Sequence, residues 1–298
     1  MRNTARTGMR TLPRRSFLLL VFVAAATISR PVYLAAGKPS SSQKQFYLIG
    51  VGPGDPDLIT LRAIRAIEKA DVIFPSPGVV QRFEEYLRGK QVIEGYWHLF
   101  PFYGVRAEDV APSERERYER ITAKRNEFIR KVRQAVAQGK VVAIVDSGDP
   151  LIYGPWSWTL QEFADLDPVV VPGLSCFNAA NAALRCSPTS GKTTKSVILT
   201  AEDWPGKTDT IERLSKLRTT MVLFTMTAHF EHFIQKLQVH WPPETPIAVV
   251  EHAGFAEKER VITGTLGTIL SRVRSQQLPF EYLIYVGDFL QTRSNPDG

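Results

Sequence analysis

From Gln45 onward, short runs of β-branched and apolar residues alternate with longer segments in which apolar positions recur every three or four residues. Runs of the first kind predict strands and segments of the second kind predict amphipathic helices, so the alternation predicts an α/β protein. The predicted strands are Phe46–Val51, Asp71–Phe74, Val141–Val145, Pro168–Val171, Ser196–Thr200, Thr220–Thr225, Ile247–Glu251 and Tyr282–Val286, with Val261–Thr263 as a short edge strand. Several are apolar throughout, as expected of strands covered on both faces. Leu61, Ile64 and Ile67 recur at three-residue spacing opposite Arg62, Arg65, Glu68 and Lys69, which predicts a helix burying the first set. A long charged helix is expected over Ser113–Gln138, with Ile121, Phe128, Ile129, Val132 and Val136 as its buried stripe. Ala228–Leu237 and Leu266–Val273 follow the same logic, and Glu114–Arg120 reads as a solvated helix face.

The Ser-, Thr-, Pro- and Gly-rich stretch Arg185–Lys195 marks the expected connection between two domains, an N-terminal α/β domain at 46–190 and a C-terminal one at 191–290, followed by a tail at 291–298. Residues 1–45 stand apart as an export signal or membrane anchor plus linker. The paired Arg14-Arg15 ahead of Phe17-Leu18 resembles a twin-arginine signal, and the apolar run Leu18–Ile28, about 11 residues, falls short of the roughly 20 that span a bilayer. The expected location is therefore exported or tethered to a bacterial inner membrane, on a side the sequence leaves open, with this segment the sole membrane contact.

Composition narrows the class. With 44% hydrophobic and 22% charged residues, the 298-residue chain is globular, neither disordered nor fibrous. Its net charge of +7 arises in the first 45 residues, which hold eight basic residues and no acidic ones. The rest carries 29 basic residues (37 less 8) against 30 acidic ones, so no nucleic-acid partner is implied. Two cysteines, Cys176 and Cys186, make no disulfide framework and lie in no zinc-ligand spacing. His229 and His232 share a predicted helix face but lack a third ligand, so no metal site is expected.

Three loops carry the candidate chemistry. Gly50-Val51-Gly52-Pro53-Gly54-Asp55-Pro56-Asp57 follows the first strand, but Pro53 and Pro56 remove amides that a dinucleotide loop would use, and no Walker lysine follows. Asp146-Ser147-Gly148-Asp149-Pro150-Leu151-Ile152-Tyr153-Gly154 lies at the end of another apolar strand, where open sheets collect ligands. A turn with a structural carboxylate cap is the competing reading of that segment. Val171-Pro172-Gly173-Leu174-Ser175-Cys176-Phe177 leads into the small-residue run Asn178–Ala183.

In this order and at these strand ends, the three loops resemble those of the tetrapyrrole (corrin/porphyrin) methyltransferase family, which uses S-adenosylmethionine. The resemblance runs from about Phe46 to Leu290 and continues through Met221–Met226, Pro246–Ala253 and Arg260–Leu266. It implies two α/β domains with mixed sheets, the cofactor in the cleft between them, and a homodimer. It implies that Pro53 lines the cleft, that Ser147, Gly148 and Asp149 hold the methionine end with Ile152 beside them, that Ser175 and Cys176 touch the cofactor, and that Met226 and Ala253 frame its adenine. Cys176 is then a small neighbour of the cofactor, with no motif-matched base to activate it.

The implied reaction is methyl transfer to a carbon of a reduced, precorrin- or porphyrin-like tetrapyrrole. Where the uroporphyrinogen-III branch has an aspartate proposed as proton acceptor, this chain has Ser76 in Phe74-Pro75-Ser76-Pro77-Gly78, closer to the precorrin-4 C11-methyltransferase branch. No catalytic residue is assigned. Two alternatives stay open: an exported or tethered tetrapyrrole-binding protein without catalysis, and a methyltransferase acting on a protein. The aromatic segment Tyr96–Tyr103 either covers a flat macrocycle or packs the long helix, and His252 either approaches the cofactor or makes a structural hydrogen bond.

Overall fold

The computed structural model describes residues 44–225, 230–274, 278–280 and 282–294. In chain order the elements are β1 (Phe46–Gly50), α1 (Leu61–Lys69), β2 (Val72–Pro75), α2 (Val79–Arg82), α3 (Glu84–Leu87), β3 (Gln91–Val92), α4 (Arg115–Ala137), β4 (Val142–Asp146), α5 (Thr159–Glu162), β5 (Val169–Val171) and α6 (Cys176–Leu184). Then follow β6 (Val197–Ala201), α7 (Ile211–Ser215), β7 (Thr220–Thr225), α8 (Phe230–Gln238), β8 (Pro246–Glu251), β9 (Arg260–Thr265), α9 (Ile269–Arg274) and β10 (Tyr282–Val286). Every strand expected from the pattern forms. The two-residue β3 was not expected, being too short to show a period.

Five strands make a parallel sheet in the order β3-β2-β4-β1-β5. The other five make a mixed sheet in the order β6-β7-β10-β8-β9, parallel only between β6 and β7. β1 and β4 are buried at every position because helices cover both faces of the first sheet. Odd and even residues serve different cores: Ile49, Ala143 and Val145 pack towards α1, whereas Phe46, Leu48, Val142 and Ile144 pack towards α4.

The helices show where periodicity misleads. α1 is capped by Thr60, whose Oγ1 accepts from Ala63 N at 3.1 Å, and it buries Ala63, Ala66 and Ile67 while Leu61 is 70% exposed. Small residues bring this helix close to the sheet, and the expected Leu61 stripe faces outward at its first turn. α4 buries Arg125, Phe128, Val132 and Ala135, with Ile121, Ile129 and Val136 only half-buried. Arg125 is 6% exposed, and it can be buried there because its guanidinium donates to Leu99 O and Pro101 O, each at 2.9 Å. Burial holds its pKa below the usual arginine value. Arg125 thereby ties the 96–103 segment to α4. Tyr96 and Leu99 enter the core, Trp97 and Tyr103 pack against it, and Phe100 remains exposed. The packing reading of the aromatic segment holds for most of its rings.

Phe128 is the hub of this core, with the rings of Phe74, Tyr96, Trp156, Trp158 and Phe163 centred 4.9–6.0 Å from its own. Phe128→Ala is expected to cost about 3–5 kcal/mol of stability, checked by denaturant unfolding. A loss below about 1 kcal/mol would mean that the site collapses to refill the space.

Candidate functional site

The carboxyl ends of β4, β1 and β5, three adjacent parallel strands, meet with no room for side chains. A Cβ on Gly50 would lie 2.6 Å from Gly148 O and 2.7 Å from Gly173 N. One on Gly173 would lie 2.2 Å from Gly148 O. Val51 N donates to Asp146 O at 2.9 Å, and Gly52 and Gly148 exchange backbone hydrogen bonds at 3.3 and 2.9 Å. The glycines seen in the sequence thus serve one shared junction, from which three loops depart together. In an open parallel sheet this edge is where a ligand can reach several loops at once.

The loop after β1 also reaches the second sheet. Asp55 N donates to Gly254 O at 2.9 Å, and Asp55 Oδ2 accepts from Ala256 N at 2.8 Å. The Pro53 carbonyl lies against Gly254, next to Ala253 at the end of β8. From the loop after β4, Tyr153 holds a positive φ of 56° and sets its ring 4.7 Å from that of Phe224 on β7. Burial raises the Tyr153 phenol, with the Asp209 carboxylate adding to the shift. α6 completes the link, because Ala180 and Leu184 pack with Val222, Phe224, Ala248 and Val250 of the second sheet.

Of the residues singled out in the sequence, the structure gathers Pro53, Ser147, Gly148 and Ala253 around these contacts, and Gly173 brings the start of α6 to the same junction. Ser147 and Asp149 are half-buried, and Ile152 is exposed beside Leu151 and Tyr153. Asp149 Oδ1 accepts from Leu151 N at 2.9 Å, so its carboxylate shapes the turn. Ser175 is buried and caps α6 in a reciprocal capping box with Asn178, while Cys176 is half-buried in the first helical position. Met226 and His229 lie outside the described residues. His252 has a positive φ of 50°, and its carbonyl accepts from Phe255 N at 3.0 Å. Apolar side chains exposed at the loop tips, Leu151, Ile152, Tyr153 and Leu174, suit a ligand with large flat surfaces.

Ser76, in the position after the second strand, is buried. Its Oγ donates to Asp146 Oδ1 at 2.5 Å and accepts from Trp156 Nε1 at 2.9 Å. This chain of hydrogen bonds connects the end of β2 to the end of β4 beneath the loops. Sequence reasoning noted Ser76 as a departure but missed the Asp146 and Trp156 partners, which pattern alone cannot pair. It also missed Arg82, which reaches both the first and second loops. Among the described residues no group of three His, Cys, Asp or Glu side chains is placed to hold a metal ion.

Gly173→Ala is expected to destabilise the protein by about 1–3 kcal/mol, because overpacked positions force backbone shifts of that cost. The measurement is thermal unfolding beside Gly206→Ala, where a Cβ meets nothing within 4 Å and the strain of the positive φ acts alone.

Comparison with known proteins places this geometry. The family model for tetrapyrrole (corrin/porphyrin) methylases matches residues 45–270. The cobalt-precorrin-4 C(11)-methyltransferase of Methanocaldococcus jannaschii is 29% identical over 261 residues, covering 85% of this chain and 90% of the relative. The X-ray structure of a cobalt precorrin-4 methyltransferase superposes with a TM-score of 0.68 at 25% identity, over 85% of this chain and 98% of that one. A Thermus thermophilus uroporphyrin-III C-methyl transferase complexed with S-adenosylhomocysteine shares the fold, with a TM-score of 0.61 at 18% identity over 83% of this chain and 99% of that one.

These relatives correct the expectation of an exported or membrane-tethered protein. They are named as methyltransferases, one of them a cobalamin biosynthetic enzyme, and export would separate such chemistry from the supply of its methyl donor. Among the described residues no helix is long and apolar enough to cross a membrane, and residues 1–43, on which the expectation rested, lie outside them. A family match over most of the chain, on three loops that abut at one junction, makes this protein a member of the tetrapyrrole (corrin/porphyrin) methylase family.

Proposed function

We propose that this protein transfers a methyl group from S-adenosylmethionine to a carbon of a reduced tetrapyrrole, in the manner of the precorrin-4 branch. The observation that carries the reading is the glycine junction at Gly50, Gly148 and Gly173, a cradle that a Cβ would fill, from which the loop after β1 reaches Gly254, next to Ala253. Backbone groups of Gly148 and neighbouring residues, together with the Ser147 hydroxyl, suit the methionine end of the cofactor. Pro53, Ile152, Ser175 and Cys176 line it, and Ala253 frames the adenine. When bound, S-adenosylmethionine supplies a sulfonium methyl that an electron-rich carbon can attack in line.

The protein's own contribution is positioning: loops held by backbone hydrogen bonds and close glycine contacts need little reorganisation when substrate arrives. Ser76 in its buried chain with Asp146 and Trp156 favours the precorrin-4 branch over the uroporphyrinogen-III one, since the position after β2 carries no carboxylate. Leu151, Ile152 and Tyr153, exposed beside the junction, suit contact with a macrocycle face. The homodimer that the family resemblance implies belongs to this proposal and is tested by light scattering on the purified protein.

S-adenosylhomocysteine is expected to bind with about one molecule per chain and to raise the melting temperature, as a ligand of the native state must. Calorimetry without heat, together with no thermal shift at millimolar ligand, would overturn the reading. Transfer of a labelled methyl group to a precorrin-type substrate, but not to bulk protein, separates it from a protein methyltransferase.

Asp149 acts through its turn. Asp149→Ala is therefore expected to weaken S-adenosylhomocysteine binding about fivefold to tenfold without unfolding the protein. Asp149→Asn keeps an oxygen that can accept from Leu151 N and should bind like the parent protein. If Asn is as damaging as Ala, the carboxylate charge itself contacts the ligand.

A further inference from the structure

We infer that Arg82 is a positioning residue that turns the Ser147 hydroxyl into a dedicated hydrogen-bond donor for a ligand carboxylate. The inference deepens the proposed function and rests on it. Arg82 closes α2, the single turn after β2, and belongs to none of the three loops. Its guanidinium nevertheless joins the first two. Nη1 donates to Gly54 O at 2.5 Å, Nη2 donates to Ser147 Oγ at 2.5 Å, and Nε donates to Gly78 O at 3.2 Å. The guanidinium carbon also lies 5.6 Å from the centre of the Phe255 ring, in the segment after β8. One rigid plane therefore fixes the spacing between the loop after β1, the loop after β4 and the segment that follows Ala253.

The chemistry of the pair sets the direction of the Ser147 proton. A guanidinium has five N–H donors and no acceptor, so Ser147 Oγ must accept from it. The Ser147 O–H cannot point back at Arg82, and no hydrogen bond engages it as donor among the described residues. It is left to donate to an incoming acceptor. The half-buried Arg82 charge behind the hydroxyl adds to its polarity, which suits an anionic partner. The matching group is the α-carboxylate at the methionine end of the cofactor. A lysine would carry the charge but could not present three donors in one plane.

The test compares two ligands that differ in this group: S-adenosylhomocysteine, which has the amino-acid moiety, and 5′-methylthioadenosine, which lacks it. In Arg82→Met an unbranched apolar side chain is kept, and the fork, with its contact to the Phe83 ring, is lost. Its dissociation constant for S-adenosylhomocysteine, read by calorimetry, is expected to rise about tenfold, the scale of one charge-assisted contact, while that for 5′-methylthioadenosine changes less than about twofold. Ser147→Ala, which leaves Arg82 in place and serves if Arg82→Met does not fold, should show the same selective loss. The double variant should be no worse than the larger single effect, because both act through one hydrogen bond. Arg82→Lys should fall between the parent and Arg82→Met. Equal weakening of both ligands in Arg82→Met would reduce Arg82 to a structural tie and overturn the inference, as would parent-like binding of both. A parent protein that binds neither ligand would instead overturn the cofactor reading, and this role with it.

Discussion

The ends of β4, β1 and β5 come together with glycine backbone against glycine backbone, and the rest of the site depends on that approach. A carbonyl of one strand end sits where a Cβ of its neighbour would be, so the three loops share a single base. Rigid parallel strands supply the precision, since β1 and β4 are buried at every position and β5 pairs with β1 along its length. The loops can then be irregular and proline-rich without being poorly placed. Their backbone polar groups are satisfied by one another, as between Gly52 and Gly148.

A second level of organisation joins the two sheets. Asp55 uses its amide and its carboxylate to hold the Gly254–Ala256 segment, and Tyr153 meets Phe224. α6 starts at the carboxyl edge of the first sheet and buries its apolar side on the second. Loops from the two sheets are thus neighbours because backbone and helix contacts hold them there, and a ligand at the junction touches a surface that is already assembled. Such preorganisation is what a transfer reaction requires of its protein when the methyl donor is intrinsically reactive.

Beneath the loops lies a polar layer and beneath that an aromatic one. Ser76, Asp146 and Trp156 form a buried hydrogen-bonded chain at the strand ends, and Phe128 anchors the ring cluster under it. Arg125 fastens the long 96–103 segment onto this core by its carbonyl oxygens, a use of arginine that depends on the fork and not on ion pairing. The aromatic segment is therefore largely part of the support of the site, with His98 and Phe100 left at the surface.

The class of fold was legible in the order of elements, because uniformly apolar runs and amphipathic stretches report burial directly and locally. The three loops were legible too, since glycine and proline at strand ends carry their backbone requirements in their own chemistry. Less visible were matters of face and distance. Leu61 looked buried by spacing and is exposed, because Ala63 and Ala66 allow a closer approach of α1 than leucine would. Arg125 was absent from the expected buried stripe of α4 and is buried, because its acceptors come from carbonyls 23 to 26 positions away. Ser76 and Asp146, 70 positions apart, and Arg82 and Ser147, 65 apart, become partners only when adjacent parallel strands bring their ends together. Local pattern encodes what a residue can do through its own backbone and its near neighbours; which donor meets which acceptor across the sheet is settled by strand order, which no local pattern contains.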